Sequence, residues 1–94
     1  MARPVWNEEK NDYLKRTRGV CFEEVVSLIE SGKLLDIIDN PSSKHKSQQI
    51  YVVEIRGYVY AVPFLKNENV IELKTIIPSR KLMKMYRTKG GKNE

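Results

Sequence analysis

The run Lys74-Thr75-Ile76-Ile77-Pro78-Ser79-Arg80-Lys81 sets three cations around an apolar segment, a proline and a serine. The apolar residues read as a strand that stops at Pro78, and Ser79 opens a short basic helix. A helix N-terminus presents unpaired N–H groups and a partial positive charge. Lys74, Arg80 and Lys81 around such a terminus make a corner able to hold a phosphate. From Lys74 to Lys92 there are seven basic residues and no acid before Glu94. Such a block favours polyanions through counterion release, whatever their sequence. The plainer reading of the same charges is a strand–helix junction with a solvated face.

Cleaving a phosphodiester without a metal needs three parts. A base must take the attacking hydroxyl proton, a cation must meet the charge developing on phosphorus, and an acid must protonate the leaving oxygen. Arg80 is the better cation, since guanidinium grips phosphate bidentately, and Lys74 is the second. Glu54 and His45 are the base candidates. Against them stand a cross-strand ion pair for Glu54 and a loop position that holds His45 poorly. Lys81, Lys84 and Arg87 are candidate contacts to a nucleic-acid backbone. One histidine, one cysteine and scattered acids have no metal-ligand spacing, so neither metal nor cofactor is expected.

The elements that must position these groups fit one domain spanning residues 1–94. Hydrophobic residues at 40% and charged residues at 31% suit a folded domain rather than a disordered chain. Apolar runs fall short of a membrane span, and the N-terminus lacks a signal pattern. Cys21 is the only cysteine, so no intrachain disulfide can form, and the cytoplasm is the expected compartment. Cys21 itself reads as a small buried residue, although its place before a helix would favour the thiolate.

Asn7 is an N-cap signal with Glu8 and Glu9 behind it, which predicts a helix to Arg18 ended by Gly19. Trp6, Tyr13 and Leu14 are its apolar anchors. Phe22, Val25, Val26 and Ile29 recur at i, i+3, i+4 and i+7, predicting a second helix that stops at Gly32. Leu34 to Ile38 is expected to be a strand, and Asn40 to Gln49 a polar loop. Three more strands follow over Ile50–Ile55, Tyr58–Leu65 and Val70–Ile77, with Arg56-Gly57 as a tight hairpin. A helix from Ser79 to about Arg87, packed by Leu82, Met83 and Tyr86, ends the domain, and residues 88–94 are read as a flexible tail. The fold class is α+β: two N-terminal helices, a four-stranded antiparallel meander and a short C-terminal helix.

Pairing across Arg56-Gly57 sets Tyr51, Val53 and Ile55 on one face with Tyr58, Tyr60 and Val62. That bulky face is expected to carry the helices. Val52, Glu54, Val59, Ala61, Glu72 and Lys74 fall on the other face, where a ligand has room. Pro63 removes a ladder donor and predicts a bulge or free edge beside it. Tyr51, Tyr58, Tyr60 and Phe64 read as core rather than as a base-stacking platform, and Trp6 as helix packing.

Three stretches resemble the BrnT family of bacterial type II toxins. Trp6-Asn7-Glu8-Glu9-Lys10-Asn11 is similar to its aromatic-Asp/Asn-x-x-Lys-Asn opening. Arg18-Gly19-Val20-Cys21-Phe22-Glu23-Glu24-Val25 is similar to its Lys-His-Gly-Val-Ser-Phe-Glu-Glu-Ala stretch. Ile76-Ile77-Pro78-Ser79-Arg80-Lys81, with Tyr86 after it, is similar to its Ile-Ile-Ser-Ala-Arg-Lys run. The resemblance implies a RelE-like fold, RNA cleavage that either needs or does not need the ribosome, and a cognate antitoxin protein as partner.

The chain departs from that pattern at three cationic places. Arg18 stands where the family carries histidine, Thr75 where an arginine precedes the Ile-Ile run, and Gln49 where an arginine opens the second strand. These losses keep open a non-catalytic nucleic-acid or protein-binding module of the same fold. They also keep open a topoisomerase-directed inhibitor, as in other RelE-like relatives.

Overall fold

The computed structural model describes residues 2–40 and 48–90. Its first element is a strand that sequence pattern did not reveal, β1 (Arg3–Val5). Helix α1 (Glu8–Arg18) then starts at Asn7, whose side-chain oxygen accepts the Lys10 N–H at 2.9 Å. Gly19 ends it in the left-handed region at φ 68°, where a side chain would be strained. Helix α2 (Phe22–Glu30) turns out of its last turn at Ser31 and Gly32, the latter also left-handed.

The remaining elements are β2 (Asp36–Asp39), β3 (Gln48–Ile55), β4 (Tyr58–Lys66), β5 (Val70–Leu73), β6 (Ile77–Pro78) and α3 (Arg80–Gly90). Arg56 and Gly57 join β3 to β4 with φ of 49° and 85°, the double positive φ that matches strand twist in a two-residue hairpin. The sheet order is β1-β5-β4-β3-β2, with β6 paired to β4 beside β5. Strands β2 to β5 alternate in direction, but β1 runs parallel to β5. The architecture is therefore mixed α+β with three helices and a six-stranded sheet, not a four-stranded meander.

The strand expected over Val70–Ile77 is two strands. Lys74 N–H still reaches the Pro63 carbonyl at 2.8 Å, but Pro63 has no N–H to return. Pairing with β4 breaks there and resumes at Ile77↔Ala61 and Pro78↔Tyr60. At the C-terminus, α3 continues to Gly90 and takes in the start of the segment read as a tail.

Two apolar clusters lie on opposite faces of the sheet. The larger joins Leu14, Phe22 and Val25 of the first two helices to Tyr51, Val53, Val62 and Phe64, with Val26, Ile29 and Tyr60 packed against it. Trp6 stacks on Phe22 at 5.6 Å, and Tyr51 on Phe64 at 3.9 Å, so these aromatics are core. Tyr13, expected as an anchor, is 47% exposed. The buried residues of α1 are Leu14 and, three positions before it, Asn11.

The smaller cluster unites Val52, Val59 and Ala61 with Leu82 of α3, flanked by Met83 and Tyr86. Helix α3 therefore covers the face that alternation left as the open one, and the expectation that all helices share one face is overturned. Its amphipathic side could not go elsewhere, because α1 and α2 already fill the other face. Among the described residues no helix is long and apolar enough to cross a membrane.

Candidate functional site

The start of α3 is held by the sheet. Ser79 N–H donates to the Val59 carbonyl at 3.1 Å, and the Ser79 hydroxyl accepts from Leu82 N–H at 3.2 Å. This N-cap satisfies one amide of the first turn. Arg80 and Lys81 follow, both exposed, and the first turn contains no acid. Among the described residues neither side chain has an ion-pair partner. Cations there add to the positive end of the helix dipole instead of opposing it, which leaves a positive corner facing solvent.

Packing of Leu82, Met83 and Tyr86 on the sheet turns Arg80, Lys81 and Lys84 outward together. Beside them a cleft of about 310 Å³ runs between α3 and the sheet, floored by Ile38, Ile50, Ala61 and Leu82. Met85 on its rim is 50% exposed, and Ile77 nearby is 42% exposed. Positive charge and uncovered apolar surface thus lie side by side.

The other candidates fall unevenly around this corner. Lys74 is exposed, but its ammonium is 3.3 Å from Glu72 of the same strand face, so an anion must compete with that carboxylate. Glu54 shares the α3 face, in a row Glu54–Val59–Ser79 that crosses three strands. Two strand spacings put its backbone about 10 Å from Ser79. Among the described residues the cross-strand ion pair expected for Glu54 is not seen, and no hydrogen bond links it to Arg80. It also lines a shallow hollow at the hairpin end with Leu28, Leu34 and Arg56. His45 lies outside the described residues.

Several polar residues that sequence reasoning passed over turn out to hold the frame. Asn11 is fully buried, accepts the Phe22 N–H at 2.8 Å and donates to Glu23 at 2.8 Å. It thereby caps α2 from α1, a task that Cys21, with no side-chain cap bond of its own, leaves undone. The Asn11 amide also holds the Glu23 carboxyl below its ordinary pKa. Arg56 bonds Glu24 at 2.5 Å and the Gly19 carbonyl. Burial raises the Cys21 thiol above its usual pKa, against the expectation from its helix-start position. Tyr86 donates to Asp36 at 2.7 Å, pinning α3 to β2 and raising the phenol's pKa. Asn11 closes the first of the stretches quoted above and stands three residues before buried Leu14, but its partners Phe22 and Glu23 were not legible from that.

The chain matches no family model, no curated protein and no solved structure. Two hydrogen-bonded contacts link the three stretches quoted above. Asn11 from the first contacts Phe22 and Glu23 of the second, and Arg18 of the second donates to Ile76 of the third at 2.7 Å. Of the departures, Gln49 pairs with Phe64 and so faces the α1–α2 side, away from Arg80. Thr75 is half-buried in the gap between β5 and β6.

Proposed function

We propose that the chain is a RelE-like toxin of the BrnT type, which cleaves RNA and is held inactive by a cognate antitoxin. The observation that carries this reading is the first turn of α3, where exposed Arg80 and Lys81 stand at a helix N-terminus without a compensating acid. A scissile phosphate gripped by Arg80 has two sources of stabilisation, the guanidinium fork and the helix terminus. Both are strongest as charge develops on the phosphorane oxygens. Lys81, Lys84 and Arg87 extend the grip to neighbouring phosphates. Glu54, across Val59 on the same face, is the carboxylate assigned to the 2′-OH proton. The 2′ oxygen then bonds phosphorus as the bond to the 5′ oxygen breaks, and that leaving oxygen takes a proton from water. The uncovered apolar cleft suits the partner protein.

One observation favours a second reading, a module that binds RNA without cutting it. Among the described residues no hydrogen bond or ion pair joins Glu54 to Arg80, and Lys74 is already paired with Glu72. The phosphate grip is thus better assembled than the proton-transfer pair.

Purified chain on free RNA, with metal chelated, separates the two. The toxin reading expects cleavage that Arg80→Ala lowers by about two orders of magnitude or more, with Arg80→Lys recovering part. Full activity in Arg80→Ala removes the proposed site. Salt-dependent binding with no cleavage of free RNA, nor of messenger RNA engaged by ribosomes, selects the binding module, and binding indifferent to salt removes the polyanion partner altogether.

A further inference from the structure

We infer that Arg18 is a positioning residue: a strut from the α1–α2 corner that sets where β6 and the Arg80–Lys81 turn sit. Strand β6 is only two residues long and has one neighbour, β4. In an antiparallel pair successive residues turn their polar groups alternately toward and away from the partner. The bond from Ser79 N–H to the Val59 carbonyl fixes that alternation. Ile77 and Ser79 face β4, while Ile76 and Pro78 face outward. Pro78 has no N–H to leave unpaired there. The Ile76 carbonyl does need a partner, because its residue is fully buried and among the described residues no strand lies beyond it.

Arg18 supplies it. From the last turn of α1, its guanidinium donates to the Ile76 carbonyl at 2.7 Å across 58 residues of sequence. The base of the strut is itself tied down, since Arg56 of the β3–β4 turn bonds both the adjacent Gly19 carbonyl and Glu24. So short a strand, following the break at Pro63, is weakly held in register by its own ladder. A one-residue slip would turn the buried Ile76 out of the core and carry Arg80 and Lys81 off the corner. The role of that corner rests on the RNA reading above; the strut itself does not.

Two variants separate a hydrogen-bonding strut from a charge that touches phosphate. Arg18→Gln keeps a donor and loses the charge, and Arg18→Met loses both. Amide hydrogen exchange in Arg18→Met is expected to quicken at Ser79 by about fivefold to tenfold, the worth of one ordinary hydrogen bond. The amide of Asn11, bonded within α1 to the Asn7 carbonyl, should exchange as in the parent, and Arg18→Gln should restore most of the protection at Ser79.

RNA affinity should fall in proportion in Arg18→Met with the slope of log K against log salt unchanged. A direct phosphate contact would lower that slope by about one in both variants. Unchanged exchange at Ser79, or equal quickening at Asn11, would overturn the strut. So would a reduced salt slope with no rescue by glutamine. Should the parent bind no RNA while Ser79 still loosens in Arg18→Met, the strut stands and the RNA reading falls.

Discussion

The two sides of the sheet begin their helices in opposite ways. On one side, α1 opens with Glu8 and Glu9 and α2 with Glu23 and Glu24, so acids meet each positive helix end. On the other, α3 opens with Arg80 and Lys81 and has no acid in its first turn. The packing differs in the same sense. Helices α1 and α2 seal a core that contains a buried asparagine hydrogen-bonded through both its oxygen and its amide nitrogen, whereas α3 closes a small cluster and leaves an apolar cleft along its flank. The first side is arranged for stability. The second tolerates uncompensated charge and open apolar surface, which is what a binding face requires and a purely structural face avoids.

If that contrast is real, truncations should cost unequally. Phe22→Ala is expected to lower unfolding free energy by about 3–5 kcal/mol, and Leu82→Ala by about 2 kcal/mol. Urea denaturation measures both, and equal costs would erase the distinction between the faces. Asn11→Ala comes next, at about 2–3 kcal/mol, because the buried Phe22 N–H is left without an acceptor and Glu23 without its donor. A loss under half that figure would mean water replaces the side chain. On the α3 side, Tyr86→Phe removes the bond to Asp36 and is expected to cost about 0.5–1 kcal/mol, with thermal melting as the readout.

The smallest effect concerns pH. The Asn11 bond lowers the Glu23 pKa in the folded state, so its stabilisation is fully present above the ordinary carboxylate value of 4.5. It is lost as pH falls through the folded pKa. Melting curves of the parent and Glu23→Gln should therefore differ at neutral pH and converge in acid. A difference that persists in acid would show that the carboxylate charge is not what Asn11 stabilises.

Residues that act on their near neighbours were legible without the fold. Asn7 as a cap, Gly19 as a stop, the stripe from Phe22 to Ile29 and the Arg56-Gly57 turn all work within a few positions, and each stands where pattern placed it. The division of β3 and β4 into a bulky and a lighter face followed from a two-residue turn and alternation alone. The cations of α3 were visible for the same reason, since helical spacing carries them to one side.

What lay beyond local reach was decided by packing. Strand β1 is three residues with a proline inside, too short to show a period, and it exists because β5 offers a parallel edge some 65 residues away. Helix α3 took the second face because the first was full. Whether Glu54 meets Arg80, what Arg56 holds and which carbonyl Arg18 completes depend on where distant segments stop relative to one another. Caps, turns and amphipathic stripes are encoded by side chains acting on their own backbone. The partners of Asn11, Arg18 and Arg56 come from segments 11 to 58 residues away, and only the folded chain brings them together.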